Sequence, residues 1–131
     1  MVILSEHLIY AKKLQYLDLI FHSCNLNDKD LLVFSDALGD FLYLENLFLN
    51  FYGNLNCITL DGSCKTFCQT LERMVNLRKI HLDFHSCKLD KAVENQILET
   101  VKKQENLETN NIFFDQVQVP KENELQRMKS E

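Results

Sequence analysis

A motif of about thirty residues recurs along this chain of 131, and self-similarity at that period constrains the fold more than any other property of the sequence. Leu14-Gln-Tyr-Leu17-Asp-Leu19-Ile-Phe21-His-Ser-Cys24 returns as Leu44-Glu-Asn-Leu47-Phe-Leu49-Asn-Phe51-Tyr-Gly-Asn54 and again as Leu77-Arg-Lys-Ile80-His-Leu82-Asp-Phe84-His-Ser-Cys87. A decayed fourth copy reads Leu107-Glu-Thr-Asn110-Asn-Ile112-Phe-Phe114-Asp-Gln-Val117. The starts are 30, 33 and 30 residues apart, and the copies agree in apolar register as well as in spacing.

The intervening segments repeat too. Leu4 and Leu8 precede Leu14 at the same offsets at which Phe34 and Leu38 precede Leu44, Phe67 and Leu71 precede Leu77, and Ile97 and Val101 precede Leu107. A pair four apart lies on one helix face, whereas Leu-x-Leu-x-Phe alternates with the period of a strand. Each unit is therefore strand, turn and returning helix, and right-handed crossovers of this length build a parallel sheet. The expected class is α/β: a solenoid of about 3.5–4 units, with a curved parallel sheet on the concave side and helices on the convex side. It spans residues 1–119, followed by a polar tail over 120–131. The first helix is expected over Ile3 to Lys13. The three extra residues of the second unit fall within Leu55–Ser63, where the turn is expected to bulge outward.

The pattern Leu-x-x-Leu-x-Leu-x-Phe-x-x-Cys/Asn-x-Leu resembles the leucine-rich repeat, in the longer helical form of ribonuclease-inhibitor-like proteins. The resemblance covers roughly residues 4–119. It implies an inward Cys or Asn that bonds the backbone of neighbouring turns, a role that falls to Cys24, Asn54 and Cys87. Val117 holds that place in the fourth copy and cannot fill it, and Asn110 stands where Leu is expected. The resemblance also implies a surface for binding proteins, with partners that vary widely.

If the Leu, Leu and Phe columns are inside, the alternate positions face out: Tyr16, Asp18, Ile20 and His22; Asn46, Phe48, Asn50 and Tyr52; Lys79, His81, Asp83 and His85; Asn111, Phe113 and Asp115. Strands about 4.8 Å apart arrange these as a grid. Solvent-facing sheet positions are usually polar, so Tyr16, Ile20, Phe48, Tyr52 and Phe113 mark a binding surface, with scattered apolar exposure or cover by flanking segments as the competing explanation. His85 and Asp115 are expected to pair across strands.

Net charge is -5, from 14 basic and 19 acidic residues, which argues against a nucleic-acid partner because phosphate neutralisation supplies most of that affinity. No apolar run approaches the roughly 20 residues that span a bilayer, and Glu6 and His7 interrupt the opening apolar stretch, so the expected location is intracellular and cytoplasmic. The five cysteines are then expected as free thiols. Cys24 and Cys87 sit two strands apart, about 9–10 Å, too far for a disulfide. No metal or cofactor is expected: His81 and His85 on one strand are about 13 Å apart, and Cys64 and Cys68 lack a second ligand pair for zinc. No phosphate loop, Gly-x-Ser-x-Gly or His-Glu-x-x-His occurs, and no nucleophile, base and orienter can be assembled, so catalysis is not expected.

With only a half-repeat helix and no capping strand before it, the first strand is expected as an open edge, pointing to a piece of a longer array or to an end that another protein covers. The expected function is thus a noncatalytic protein–protein interaction module, a structural or adaptor subunit within a multi-subunit complex. The alternatives are the targeting portion of a larger signalling enzyme and an inhibitor of ribonuclease-inhibitor type. Leu125 and Met128 give the tail a weak apolar stripe, so it either frays in solvent or docks on the complex.

Overall fold

A computed structural model describes residues 1–8 and 10–115. Helices and strands alternate along the chain: α1 (Val2–Leu8), β1 (Tyr16–Ile20), α2 (Asp28–Leu38), β2 (Asn46–Asn50), α3 (Cys64–Arg73), β3 (Lys79–Asp83), α4 (Lys91–Lys102) and β4 (Thr109–Phe113). The four strands form one sheet in the order β1-β2-β3-β4, parallel throughout. Helices pack on their neighbours in the same order, α1 on α2, α2 on α3 and α3 on α4. This layered arrangement, in which each unit meets the next, is compatible with a solenoid.

The register follows the repeat: Leu17, Leu47, Ile80 and Asn110 are aligned, as are Leu19, Leu49, Leu82 and Ile112. Apart from Asn110, which is exposed, these columns face the helices and join Phe34, Leu38, Phe67, Leu71, Ile97 and Val101 in one core. Just past the strands, Phe21, Phe51, Phe84 and Phe114 stack with centroids 5.7, 5.2 and 5.7 Å apart and interplanar angles of 16° or less. Phe34 and Phe67 meet this column edge-on, the geometry that ring quadrupoles favour.

The helix-to-strand connections repeat as well. Ala11 N bonds Leu8 O and Leu14 N bonds Ala11 O; the same two successive turns run through Leu38, Phe41 and Leu44, and through Leu71, Met74 and Leu77. The apolar spacing switches there from four to three, which trades helix for tight turns. That is why α1 stops at Leu8, short of the expected Lys13.

The connection 51–63 takes thirteen residues where 21–27 and 84–90 take seven. Its expected outward bulge is only partly right. Leu55 and Leu60 are exposed, but Cys57 and Ile58 are buried in the core between them. An anchor on α2 draws the segment in. Asp28 accepts hydrogen bonds from the backbone N of Thr59 (2.9 Å) and Ser63 (3.0 Å) and from both hydroxyls, at 3.0 and 2.6 Å. Val117, Pro120 and the tail over 120–131 lie outside the described residues.

Candidate functional site

Pleating sends every second strand residue away from the helices. The face so formed carries Tyr16, Asp18 and Ile20 from β1, Phe48 and Asn50 from β2, His81 and Asp83 from β3, and Phe113 from β4, with His22, Tyr52 and His85 just beyond the strand ends. Four of its apolar members are exposed beyond a third of their surface: Ile20 64%, Tyr16 56%, Tyr52 45% and Phe113 37%. Phe48, Asn50, His81, Asp83 and His85 are half-buried among their neighbours.

The rings are in sequence across the sheet. Tyr16 lies 5.4 Å from Phe48, Phe48 6.0 Å from His81, and His81 5.4 Å from Phe113. Phe48 and His81 are direct cross-strand partners, while the outer two contacts are diagonal. The row therefore touches all four strands. His85 stacks on Phe113 at 5.6 Å, and a second short row joins His22 to Tyr52 at 5.5 Å.

Polar members of the face mostly serve the turns. Asn50 Oδ1 accepts from Tyr52 N at 3.0 Å, and Asp83 Oδ1 accepts from His85 N at 2.9 Å, so the same turn closes two units. Ile20 holds that place in the first unit and has no acceptor to offer. The expected pair of His85 with Asp115 does not form. His85 Nδ1 lies 2.8 Å from Asp83 Oδ1 instead. Asp115 accepts from Ser86 N and from Lys88 N (2.9 Å), because the left-handed backbone at Ser86 (φ 58) and Lys88 (φ 51) turns both N–H groups toward it. Asp115 is therefore part of a turn and not part of the open face. At one margin Arg78 and Glu108 form an exposed ion pair of 2.6 Å, which adds little stability in water.

Inward ladder positions divide by place. Asn54 is fully buried, accepts from Leu26 N (2.9 Å) and donates to Phe21 O (2.6 Å) and Phe51 O (2.8 Å). Cys87 Sγ donates to Phe51 O at 3.0 Å. Cys24 departs from the expectation: it is exposed and reaches only His22 O, at 3.4 Å. Both successful residues bond the turn of the preceding strand, whereas among the described residues β1 is the edge of the sheet on that side.

Across the turns Asn56 N bonds Cys87 O at 2.8 Å. The neighbouring Cys87 thiol pushes Cys57 up, and Cys57 in turn holds Cys87 down, with burial opposing the latter. All five cysteines are free. Among the described residues no helix is long and apolar enough to cross a membrane, and no group of three or more His, Cys, Asp or Glu side chains is placed to hold a metal ion. Comparison with protein families, with curated proteins and with solved structures finds no match for this chain.

Proposed function

We propose that the chain is a leucine-rich-repeat module of the long helical type that binds another protein, without catalysis, through its concave sheet face. On this reading it serves as a structural or adaptor subunit of a larger intracellular complex. The row Tyr16–Phe48–His81–Phe113 carries the proposal: large rings, some half-open to solvent, are held side by side on hydrogen-bonded strands. Interfaces concentrate their energy in such aromatic clusters, and a backbone fixed in advance lowers the ordering cost of association.

Size bounds the partner. Four strands of five residues cover roughly 14 Å by 17 Å, about 240 Å², against about 800 Å² per partner in a stable interface. The sheet face thus has the area of a hot spot, and a partner held on it extends over the adjoining turns, where His22, Tyr52 and His85 stand. The test is affinity capture from native extract with the wild type, with Phe48→Asp plus Tyr52→Asp, and with Leu98→Asp on the exposed side of α4 as a control. The expected result is a specific companion lost by the double variant and kept by the control, with unchanged circular dichroism. If the double variant misfolds, Tyr16→Ala plus Tyr52→Ala removes two exposed rings at little structural risk. Retention of every companion by a folded sheet-face variant moves binding elsewhere and ends the proposal.

A further inference from the structure

Asp18 occupies the middle of β1 on the outward face, with Tyr16 and Ile20 on either side of it along the strand and Phe48 directly opposite on β2. Two residues of strand span about 6.6 Å and neighbouring strands lie about 4.8 Å apart, so one ligand group can touch the carboxylate and a ring together. Tyr16 and Phe48 meet at 5.4 Å, tilted by 32°, and Tyr16 and Ile20 are exposed over more than half of their surface. Asp18 is itself exposed.

The fold gives this carboxylate no task. Asn50 and Asp83, on the same face, accept from the backbone of their own turns, and Asp83 also meets His85. Asp18 closes no such turn, and the ion pairs among the described residues are Arg78–Glu108, His85–Asp83 and Lys91–Glu94. Lys79 on the same face stands two strands away, about 10 Å by strand spacing. A negative charge without a cation partner among the described residues therefore lies beside two rings at the β1 side of the aromatic row.

Both parts of this corner select the same ligand chemistry. Ring faces are negative and attract a cation held over them, and the carboxylate attracts that cation too. A guanidinium suits both, because its plane lies flat on a ring while its fork of N–H groups donates to the two carboxylate oxygens. An ammonium is a compact, strongly hydrated point charge and gains less from the ring. Anions are repelled. We propose that Asp18, with Tyr16 and Phe48, takes up an arginine side chain of the protein that binds the concave face. This site rests on the reading of that face as the binding surface, and it names the chemistry by which the partner is chosen.

The test is selection of phage-displayed random peptides on the whole chain, followed by affinity measurement with the selected peptides made synthetically. The peptides are expected to share an arginine. Replacing that arginine by lysine is expected to weaken binding about tenfold, and replacing it by citrulline, which keeps the shape and loses the charge, by more. Asp18→Asn is expected to cost about tenfold as well, Asp18→Glu to restore part of the loss, and Leu98→Asp on α4 to leave affinity within about threefold. Asp18 is exposed and holds no turn, so circular dichroism of its variants is expected to match the wild type. Peptides without arginine, or affinity unchanged in Asp18→Asn, overturn the arginine site. If those peptides are still lost by Tyr16→Ala plus Tyr52→Ala, the concave face stands as the binding surface. Peptides kept by that folded double variant overturn both, and a folded wild type that selects no peptide overturns the arginine site.

Discussion

The same position in successive units carries different weights, and Asn54 and Cys24 give the sharpest contrast. Asn54 satisfies one amide and two carbonyls that lie away from water. Asn54→Ala leaves them unpaired, and its expected cost is about 3 kcal/mol, since each buried orphan costs ~1–3 kcal/mol. Cys24→Ala removes only a weak, exposed bond to its own strand end, so its effect is expected within about 0.5 kcal/mol. Urea unfolding at pH 7 of the two variants checks both numbers, and equal costs would show that the edge turn is stabilised in some other way. The motif identified all three ladder residues but could not separate them, because identity of letter says nothing about which unit has a neighbour on the required side. The same limit produced the His85–Asp115 error. Asp115 is in cross-strand reach by spacing alone, and only backbone geometry reveals the two N–H groups that claim it.

Among elements, period alone was a sufficient guide to helix and strand, because four-spaced and two-spaced apolar pairs admit no other burial. Connections were legible where they repeat and illegible where they do not. The double turns at Leu8–Leu14, Leu38–Leu44 and Leu71–Leu77 are written in three-spaced apolar residues, whereas the anchor of 51–63 is a single aspartate some thirty residues upstream. Gly62 belongs to that anchor, since a Cβ there would run into the Asp28 carboxylate. Burial works against ionisation of Asp28, but hydrogen bonds from Ser63 and Thr59 outweigh it and hold its carboxyl below the ordinary 3.8. A depressed carboxylate contributes stability that is complete above 3.8 and is lost as pH falls through the lower folded value. The wild type is therefore expected to lose urea resistance below pH 4. Asp28→Asn is expected to be weaker at pH 7, having lost charge-assisted acceptors, and to fall less steeply below pH 4. Parallel acid profiles for the two proteins would show that the anchor does not couple to folding.

On the scale of the whole molecule, stability is distributed along one dimension. Each layer buries its faces against the next, so the middle layers are enclosed on two sides and the outermost on one. Accordingly Leu47, Leu49, Ile80 and Leu82 are fully or almost fully buried, while Leu19 in β1 and Ile112 in β4 are only partly covered. The phenylalanine column shows the same gradient, with Phe51 and Phe84 sealed and Phe21 and Phe114 partly open. Local opening free energies track such enclosure. Amides of β2 and β3 are expected to exchange with deuterium at rates near those of global unfolding, and amides of β1 and β4 faster. Phe51→Ala, in the middle of the column, is expected to cost ~3–5 kcal/mol and to speed exchange in every strand. Phe114→Ala is expected to speed β4 while leaving β1 and β2 close to wild type, because β3 lies between β4 and those two strands. Equal acceleration of all four strands by Phe114→Ala would mean that the sheet opens as one unit. The outer aromatic row would then be a property of a single cooperative body, so that a substitution at Phe113 would disturb the packing at Tyr16 as strongly as at His81.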